Sequence, residues 1–156
     1  MAIRRHNTLE HVDGSYFAGA SLVDKEKGIG VVVPVGSTGT GAAGDSNNIV
    51  ELPTPGAGEQ FVGVLMSEVV TWDRTKCCFL PEKYRSATTV CRPVNIVRQG
   101  DVFTDQLKTG DAPATGAPAY VGADGKFTVT SNALGQVGTF RGVKDSNGFV
   151  SIHIDK

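Results

Sequence analysis

The C-terminal segment, residues 116–156, alternates between short apolar runs and turn signals, and this pattern limits the folds that the chain can adopt. The runs occupy residues 119–121, 126–130, 137–143 and 149–154. Strands of this length at this spacing are typical of a small antiparallel barrel or sandwich. In the last run Val150, Ile152 and Ile154 share one face, which we expect to face the core. The segment therefore predicts an all-β protein.

Composition supports this interpretation. The chain has 156 residues, of which 20 are glycine and seven are proline. That glycine content is well above the usual ~7%. Both residues suit turns and break helix interiors, so a helical bundle is disfavoured. The length fits one domain. We predict an extended N-terminal arm over residues 1–13 and a single β domain over residues 14–156, with residues 72–91 as a possible insertion.

Several internal segments refine the prediction. Residues 36–48 form the longest glycine-rich loop, and residues 60–72 are so continuously apolar that they predict a strand buried on both faces. Residues 88–97 and 100–104 are predicted as two separate strands. Asp111, Asp124 and Asp145 are interpreted as turn residues, because aspartate side chains bond to their own local backbone.

The charge balance disfavours two classes of partner. The formal net charge is −1, which indicates neither a nucleic-acid footprint nor attraction to an anionic membrane. The N-terminus lacks the apolar run of a secretory signal, so a cytosol-like compartment is expected. Cys77, Cys78 and Cys91 are an odd number and are expected to be buried free thiols, although a bond from Cys91 to one of the others stays open.

The motifs for chemistry are weak. Residues 39–44 match G-x-G-x-x-G, but the polar and β-like sequence that follows offers no helix to hold a pyrophosphate. The three histidines and three cysteines lack the usual zinc spacing. We therefore expect no cofactor, no metal site and no enzymatic activity. Trp72, Arg74 and Tyr84 are candidate interface residues, because these residue types are enriched at binding hot spots, although Trp72 fits the core equally well.

Residues 110–129 and 137–154 together resemble the capsid cement, or head-decoration, proteins of tailed bacteriophages. The shared features are a Gly/Pro-rich entry, a Tyr-Val strand, an Asp-Gly-Lys turn, a Val-Gly…Gly-Val strand and a final alternating strand. The resemblance implies a β-barrel or β-tulip-like fold. It also implies a structural virion protein on the outer capsid surface, assembled in the host cytoplasm.

The same resemblance implies partners. The major capsid protein is the expected one, and self-association as a homotrimer is favoured over a homodimer. On this basis we expect Ile3, Arg4 and Arg5 in the arm to contact the shell or a neighbouring copy. Two alternatives stay open: a β-module of the tail or baseplate, and a ligand- or nucleic-acid-binding barrel of the OB type. The OB type requires aromatic and basic residues interleaved on one face, and the sequence offers only Lys126 and Phe127.

Overall fold

A computed structural model describes residues 9–34, 49–54, 58–69 and 93–155 of the chain. The described residues contain nine strands and one 3₁₀ helix. These are β1 (Leu9–Ala18), a 3₁₀ helix (Ala20–Leu22), β2 (Gly30–Val33), β3 (Ile49–Val50), β4 (Gln60–Leu65), β5 (Pro93–Thr104), β6 (Pro118–Val121), β7 (Phe127–Thr128), β8 (Gly138–Phe140) and β9 (Val150–Asp155).

The first five strands close into a ring, here named the N-terminal ring. β5 pairs antiparallel with β1 through its first half, and β1 pairs in parallel with the short β3. Val32 of β2 exchanges two backbone hydrogen bonds with Glu51, the residue that follows β3, at 3.0 and 2.9 Å. β2 then pairs with β4, and β4 returns to β5. The ring therefore comprises β1, β3, β2, β4 and the first half of β5.

The second half of β5 begins another ring, the C-terminal ring. From β5 the antiparallel order runs through β9, β8, β6 and β7. The ring closes between β7 and the segment that follows β5. The backbone N–H of Phe127 donates to the carbonyl of Gln106, and the carbonyl of Phe127 accepts from the backbone N–H of Lys108. All of its strands come from residues 99–155, so the ring is built from neighbouring segments of sequence.

β4 and the centre of β5 form a wall between the two rings. Phe61, Val64 and Val97 pack into the core of the C-terminal ring. Val62, Leu65 and Ile96, on the same two strands, pack into the core of the N-terminal ring. Burial on both faces explains why β4 is apolar without strict alternation. The strand predicted over residues 60–72 is confirmed for its first part only, because β4 ends at Leu65 and residues 70–72 lie outside the described residues. The same two strands thus contribute side chains to the cores of both rings.

Gly63 lies at the tightest point of this wall. A Cβ atom at Gly63 would lie against the carbonyl oxygen of Val97 on β5, closer than real Cβ atoms approach. The Ile96 side chain lies beside the same position. Glycine is therefore the residue that allows β4 and β5 to approach this closely.

The predicted all-β fold class is confirmed: the described residues form a mainly antiparallel β-sheet closed as in a barrel, and both cores are apolar. The C-terminal strands are also where the sequence places them. Val150, Ile152 and Ile154 are fully buried, whereas Ser151 and His153 alternate with them on the opposite face.

Three detailed expectations are corrected. Residues 9–13 belong to β1 and pair with β5, so the predicted arm boundary at residue 13 is wrong, and residues 1–8 lie outside the described residues. The two strands predicted over 88–97 and 100–104 are one strand, β5, which accommodates Gly100 at a positive φ of 123°. Asp111 does not cap its own turn; its carboxylate accepts from the Thr128 hydroxyl and the Val129 N–H instead.

Candidate contact surface

The interface residues predicted from sequence lie outside the described residues. These are Ile3, Arg4, Arg5, Trp72, Arg74 and Tyr84. The three cysteines and the glycine motif of residues 39–44 also lie outside them. The candidate surface is therefore built from other side chains.

The outer face of the C-terminal ring is a three-stranded surface formed by β5, β9 and β8. Cross-strand register sets Asp101 opposite His153 and His153 opposite Thr139, while Phe103 lies opposite Ser151. These side chains are all partly exposed, because each alternates with a buried residue of the core. We name this surface the β5–β9–β8 face.

A charged cluster lies at the centre of the β5–β9–β8 face. Nδ1 of His153 donates to Oδ1 of Asp101 at 2.8 Å, since a carboxylate only accepts. Nε of Arg141 lies 3.8 Å from the same carboxylate oxygen. Arg141 is anchored to the sheet through its backbone N–H, which donates to Ser151 at 2.8 Å. The guanidinium side chain is 57% exposed, so it remains available to a partner.

An aromatic pair borders the charged cluster. The rings of Phe103 and Phe149 are stacked with centroids 5.3 Å apart and an angle of 10° between their planes. Phe149 is almost fully covered, whereas Phe103 is half-buried. In the loop between β8 and β9, Val143 is 68% exposed. Aromatic and arginine side chains on one surface are typical of protein-binding surfaces.

The loop that carries Val143 is fixed by one carboxylate. Oδ1 of Asp145 accepts from the backbone N–H of Asn147 at 2.9 Å and of Phe149 at 2.8 Å. Gly148 completes the turn at φ 90°, in the left-handed region that favours glycine. The sequence prediction that Asp145 is a turn residue is confirmed. These hydrogen bonds therefore order the C-terminal part of the loop that carries the exposed Val143.

The β5–β9–β8 face contains a serine, a histidine and an aspartate, but their contacts are those of a cross-strand pair. Among the described contacts, none joins the Ser151 hydroxyl to His153. Nucleophilic catalysis needs a hydrogen bond between such groups. Within residues 9–34, 49–54, 58–69 and 93–155, no three metal-ligating side chains come together.

A second surface feature is the outer edge of β1. Phe17 pairs with Pro93 of β5 on one side and Ile49 of β3 on the other, so these strands flank β1. β5 follows β1 from Leu9 to Phe17, but β3 reaches only Phe17 and Ala18. Within the described part of the chain, the β3 side of β1 thus has no strand partner from Leu9 to Tyr16.

Local hydrogen bonds shape this edge. Oδ1 of Asp13 accepts from the Ser15 hydroxyl at 2.6 Å and from the Ser15 backbone N–H at 2.9 Å. These two bonds, with smaller contributions from Arg98 and His11, hold the pKa of Asp13 below its ordinary value. Val12, between His11 and Asp13, is 43% exposed.

Sequence reasoning missed the Asp101–His153–Arg141 cluster and the Phe103–Phe149 pair. Strand alternation alone places His153 on the face of β9 opposite Val150, Ile152 and Ile154. Pairing it with Asp101 requires the register between β9 and β5, which are separated by about fifty residues of chain. No local sequence pattern fixes such a register.

No known protein family matches this chain, and no curated protein is significantly similar to it. The described residues include no helix that is long and apolar enough to span a membrane.

Proposed function

We propose that this protein is a capsid decoration protein, which binds the assembled shell of a major capsid protein and stabilises it. The proposal starts from the resemblance of residues 110–129 and 137–154 to capsid cement proteins. The structural observation that carries it is the β5–β9–β8 face, which presents Arg141 and the Phe103–Phe149 pair. The β8–β9 loop adds the exposed Val143. Both are supported by a β body with an apolar core in each ring.

A rigid body suits this function. A protein that reinforces joints between capsid subunits must transmit load without changing shape. The wall of β4 and β5 has a core on each side, which resists bending because protein interiors are close-packed. The closed rings also leave few unpaired strand edges among the described residues, which limits unwanted pairing in solution.

Many copies on one shell make modest contacts sufficient. Each copy that touches several capsid subunits gains from effective concentration, so the total attachment exceeds any single contact. A stable interface usually buries ~1,600 Å² in total. The β5–β9–β8 face supplies part of such an area, and we propose that residues 1–8, with Ile3, Arg4 and Arg5, supply another part.

Co-sedimentation with shells tests the proposal. The proposal names a major capsid protein as the partner, so expanded shells assembled from such a protein are mixed with the full chain and pelleted. We expect saturable binding to expanded shells and a rise in the temperature at which the shells fall apart. Binding that does not saturate, or an absence of binding at micromolar protein, would exclude decoration.

Two variants locate the contact. Val143→Glu places a charge in the exposed β8–β9 loop and should reduce shell occupancy at least several-fold. Ala123→Glu is the matched control, since Ala123 is also exposed but lies in the β6–β7 turn. Deletion of residues 1–8, which leaves all of β1 in place, should fold normally and bind more weakly. Equal occupancy for Val143→Glu, Ala123→Glu and the native chain would exclude the β8–β9 loop as part of the contact.

A further inference from the structure

The acidic and basic groups at one corner of the molecule differ in how far the protein itself satisfies them. We name this corner the β8–β9 corner; it comprises loop residues 141–149 and the Asp101–His153 pair beside Arg141. Both of its carboxylates already accept hydrogen bonds within the protein. Asp101 accepts from His153, and Asp145 accepts from two backbone N–H groups of its own loop.

Neither base of the β8–β9 corner has a hydrogen-bond acceptor in the described part of the chain. Nε of Arg141 lies 3.8 Å from the nearer oxygen of Asp101, which is an ion pair but too long for a hydrogen bond. Lys144 is exposed, and its ammonium makes no hydrogen bond or ion pair with the described residues. Its Cε lies 3.6 Å from the position that a Cβ atom on Gly148 would occupy, so the lysine stem lies against the turn of the loop.

The guanidinium of Arg141 is positioned across the β5–β9–β8 face. The backbone N–H of Arg141 donates to Ser151 on β9, and its Nε lies beside Asp101 on β5, the strand on the far side of β9. The side chain therefore crosses above β9. Phe103 is the next residue of β5 on the same side as Asp101, so an aromatic ring lies near the end of this path. A guanidinium held in this way loses less side-chain freedom on binding.

A partner that carries carboxylates complements this corner. The planar guanidinium matches a carboxylate through paired N–H donors, and the ammonium of Lys144 acts as a compact point charge. The ion pair with Asp101 is at Nε, so the terminal nitrogens of Arg141 remain open to a second carboxylate. The Phe103–Phe149 pair adds an apolar contact beside the charges. A basic partner would instead meet carboxylates that are already engaged, and the net charge of −1 disfavours nucleic acid.

We propose that the β8–β9 corner binds an acidic segment of a partner protein, with one carboxylate on the guanidinium of Arg141 and another on the ammonium of Lys144. The inference rests on the proposed function only for the identity of the partner, which is then an acidic surface segment of the capsid protein. Recognition of the carboxylates themselves requires no shell. The inference and the proposed function can therefore fail independently.

A peptide titration tests the site without a shell. The probe is a tripeptide with blocked ends and a glutamate on each side of a phenylalanine, and the matched control carries glutamines instead. Each is added at millimolar concentration to the nitrogen-labelled full chain, and NMR follows the Nε–H signals of the arginines. We expect a saturable shift of Arg141 with the glutamate peptide alone.

Arg98 is the internal control for this titration. Its side chain is 37% exposed and its Nη1 lies 3.8 Å from Asp13, so it has a similar acidic neighbour in the N-terminal ring. No shift of Arg141, or equal shifts of Arg141 and Arg98, would overturn the proposal. A larger response of Arg141 to inorganic phosphate than to the glutamate peptide would also overturn it, because phosphate would then be the preferred ligand.

Charge variants carry the test to expanded shells. Arg141→Glu and Lys144→Glu should each weaken binding about ten-fold, as expected for the loss of a hydrogen bond between charged groups, and Arg98→Glu should bind like the native chain. Matching backbone amide spectra show that each variant is folded. Equal binding of Arg141→Glu and Arg98→Glu would overturn this inference and leave decoration intact. A native chain that responds to the peptide but binds no shell would exclude decoration and support the acidic-segment site.

Discussion

The two rings of this protein contrast in how their strands are assembled from the sequence. The C-terminal ring is built from residues 99–155, and its β6–β9 segments follow one another through short turns. The N-terminal ring closes through a parallel pair between β1 and β3 and a single bridge between Val32 and Glu51. Contacts between neighbouring segments cost less loop-closure entropy than distant ones. The most distant pair of the C-terminal ring, β5 with β9, joins segments about fifty residues apart, whereas β1 and β5 of the N-terminal ring lie further apart in the sequence.

The shared wall connects these two rings thermodynamically. Because β4 and β5 contribute side chains to both cores, neither ring can lose its packing without exposing apolar surface in the other. We expect one cooperative unfolding transition despite the difference in assembly.

The largest effects should come from truncation of the two cores. Ile152→Ala opens the C-terminal core and Ile96→Ala opens the N-terminal core; both side chains are fully buried. Each variant should lose about 2–5 kcal/mol of unfolding free energy. Denaturant unfolding measures this loss of free energy. Hydrogen exchange of the native state should then show reduced amide protection in both rings for either variant. Loss of protection confined to the truncated ring would show that the rings unfold separately.

The next largest effect concerns the wall itself. Gly63→Ala pushes a methyl group against the β5 backbone at Val97 and should destabilise the protein by about 1–3 kcal/mol. Gly142→Ala is the matched control, because nothing lies within 4 Å of the added methyl group. Thermal unfolding measures both variants. Equal melting temperatures for Gly63→Ala and Gly142→Ala would contradict the close approach of β4 and β5.

These expectations also show what could be predicted from sequence. The C-terminal strands were predicted because each apolar run is bounded by a local turn, such as Asp145 to Gly148, whose geometry its own residues dictate. β5 was predicted as two strands separated by the polar residues Arg98 and Gln99, and pairing with β1 and β9 carries the strand through them. The entry into β1 was missed because residues 9–13 carry few apolar side chains and are held by pairing with β5.

The candidate surface was less predictable than the fold. Alternation along β9 places His153 opposite the buried face, but its partner Asp101 depends on long-range register. The hot-spot residues chosen by type, Trp72, Arg74 and Tyr84, lie outside the described residues, so their role remains a prediction.

A smaller effect tests the local turns of the C-terminal ring. Asp145→Ala removes the acceptor of two backbone N–H groups and should cost about 1 kcal/mol. Asp124→Ala removes an acceptor that holds one N–H, that of Lys126, and should cost less. Chemical denaturation ranks the two variants, and Asp145→Asn, which retains an acceptor oxygen, should restore much of the loss. A larger loss of unfolding free energy for Asp124→Ala than for Asp145→Ala would contradict the role given to Asp145 in the β8–β9 loop.

The smallest effect is a pH dependence in the N-terminal ring. Because the pKa of Asp13 is lowered in the folded state, its carboxylate adds stability that is present above the unfolded pKa of about 3.9. That stability is lost as pH falls through the lower folded pKa. The effect should be small, because solvent screens a group near the surface. Melting temperatures between about pH 2 and pH 6 should fall less steeply for Asp13→Asn than for the native chain; parallel curves would contradict the assignment.

Direct imaging of decorated shells tests the central claim, that this two-ring β protein is a capsid decoration protein. Expanded shells incubated with the full chain and with Val143→Glu are imaged by electron cryomicroscopy with symmetry averaging. The account predicts extra density on the outer shell surface at symmetry-related positions, with the β5–β9–β8 face against the capsid protein and weaker density for Val143→Glu. Bare shells, or density restricted to the tail or its attachment vertex, would contradict it.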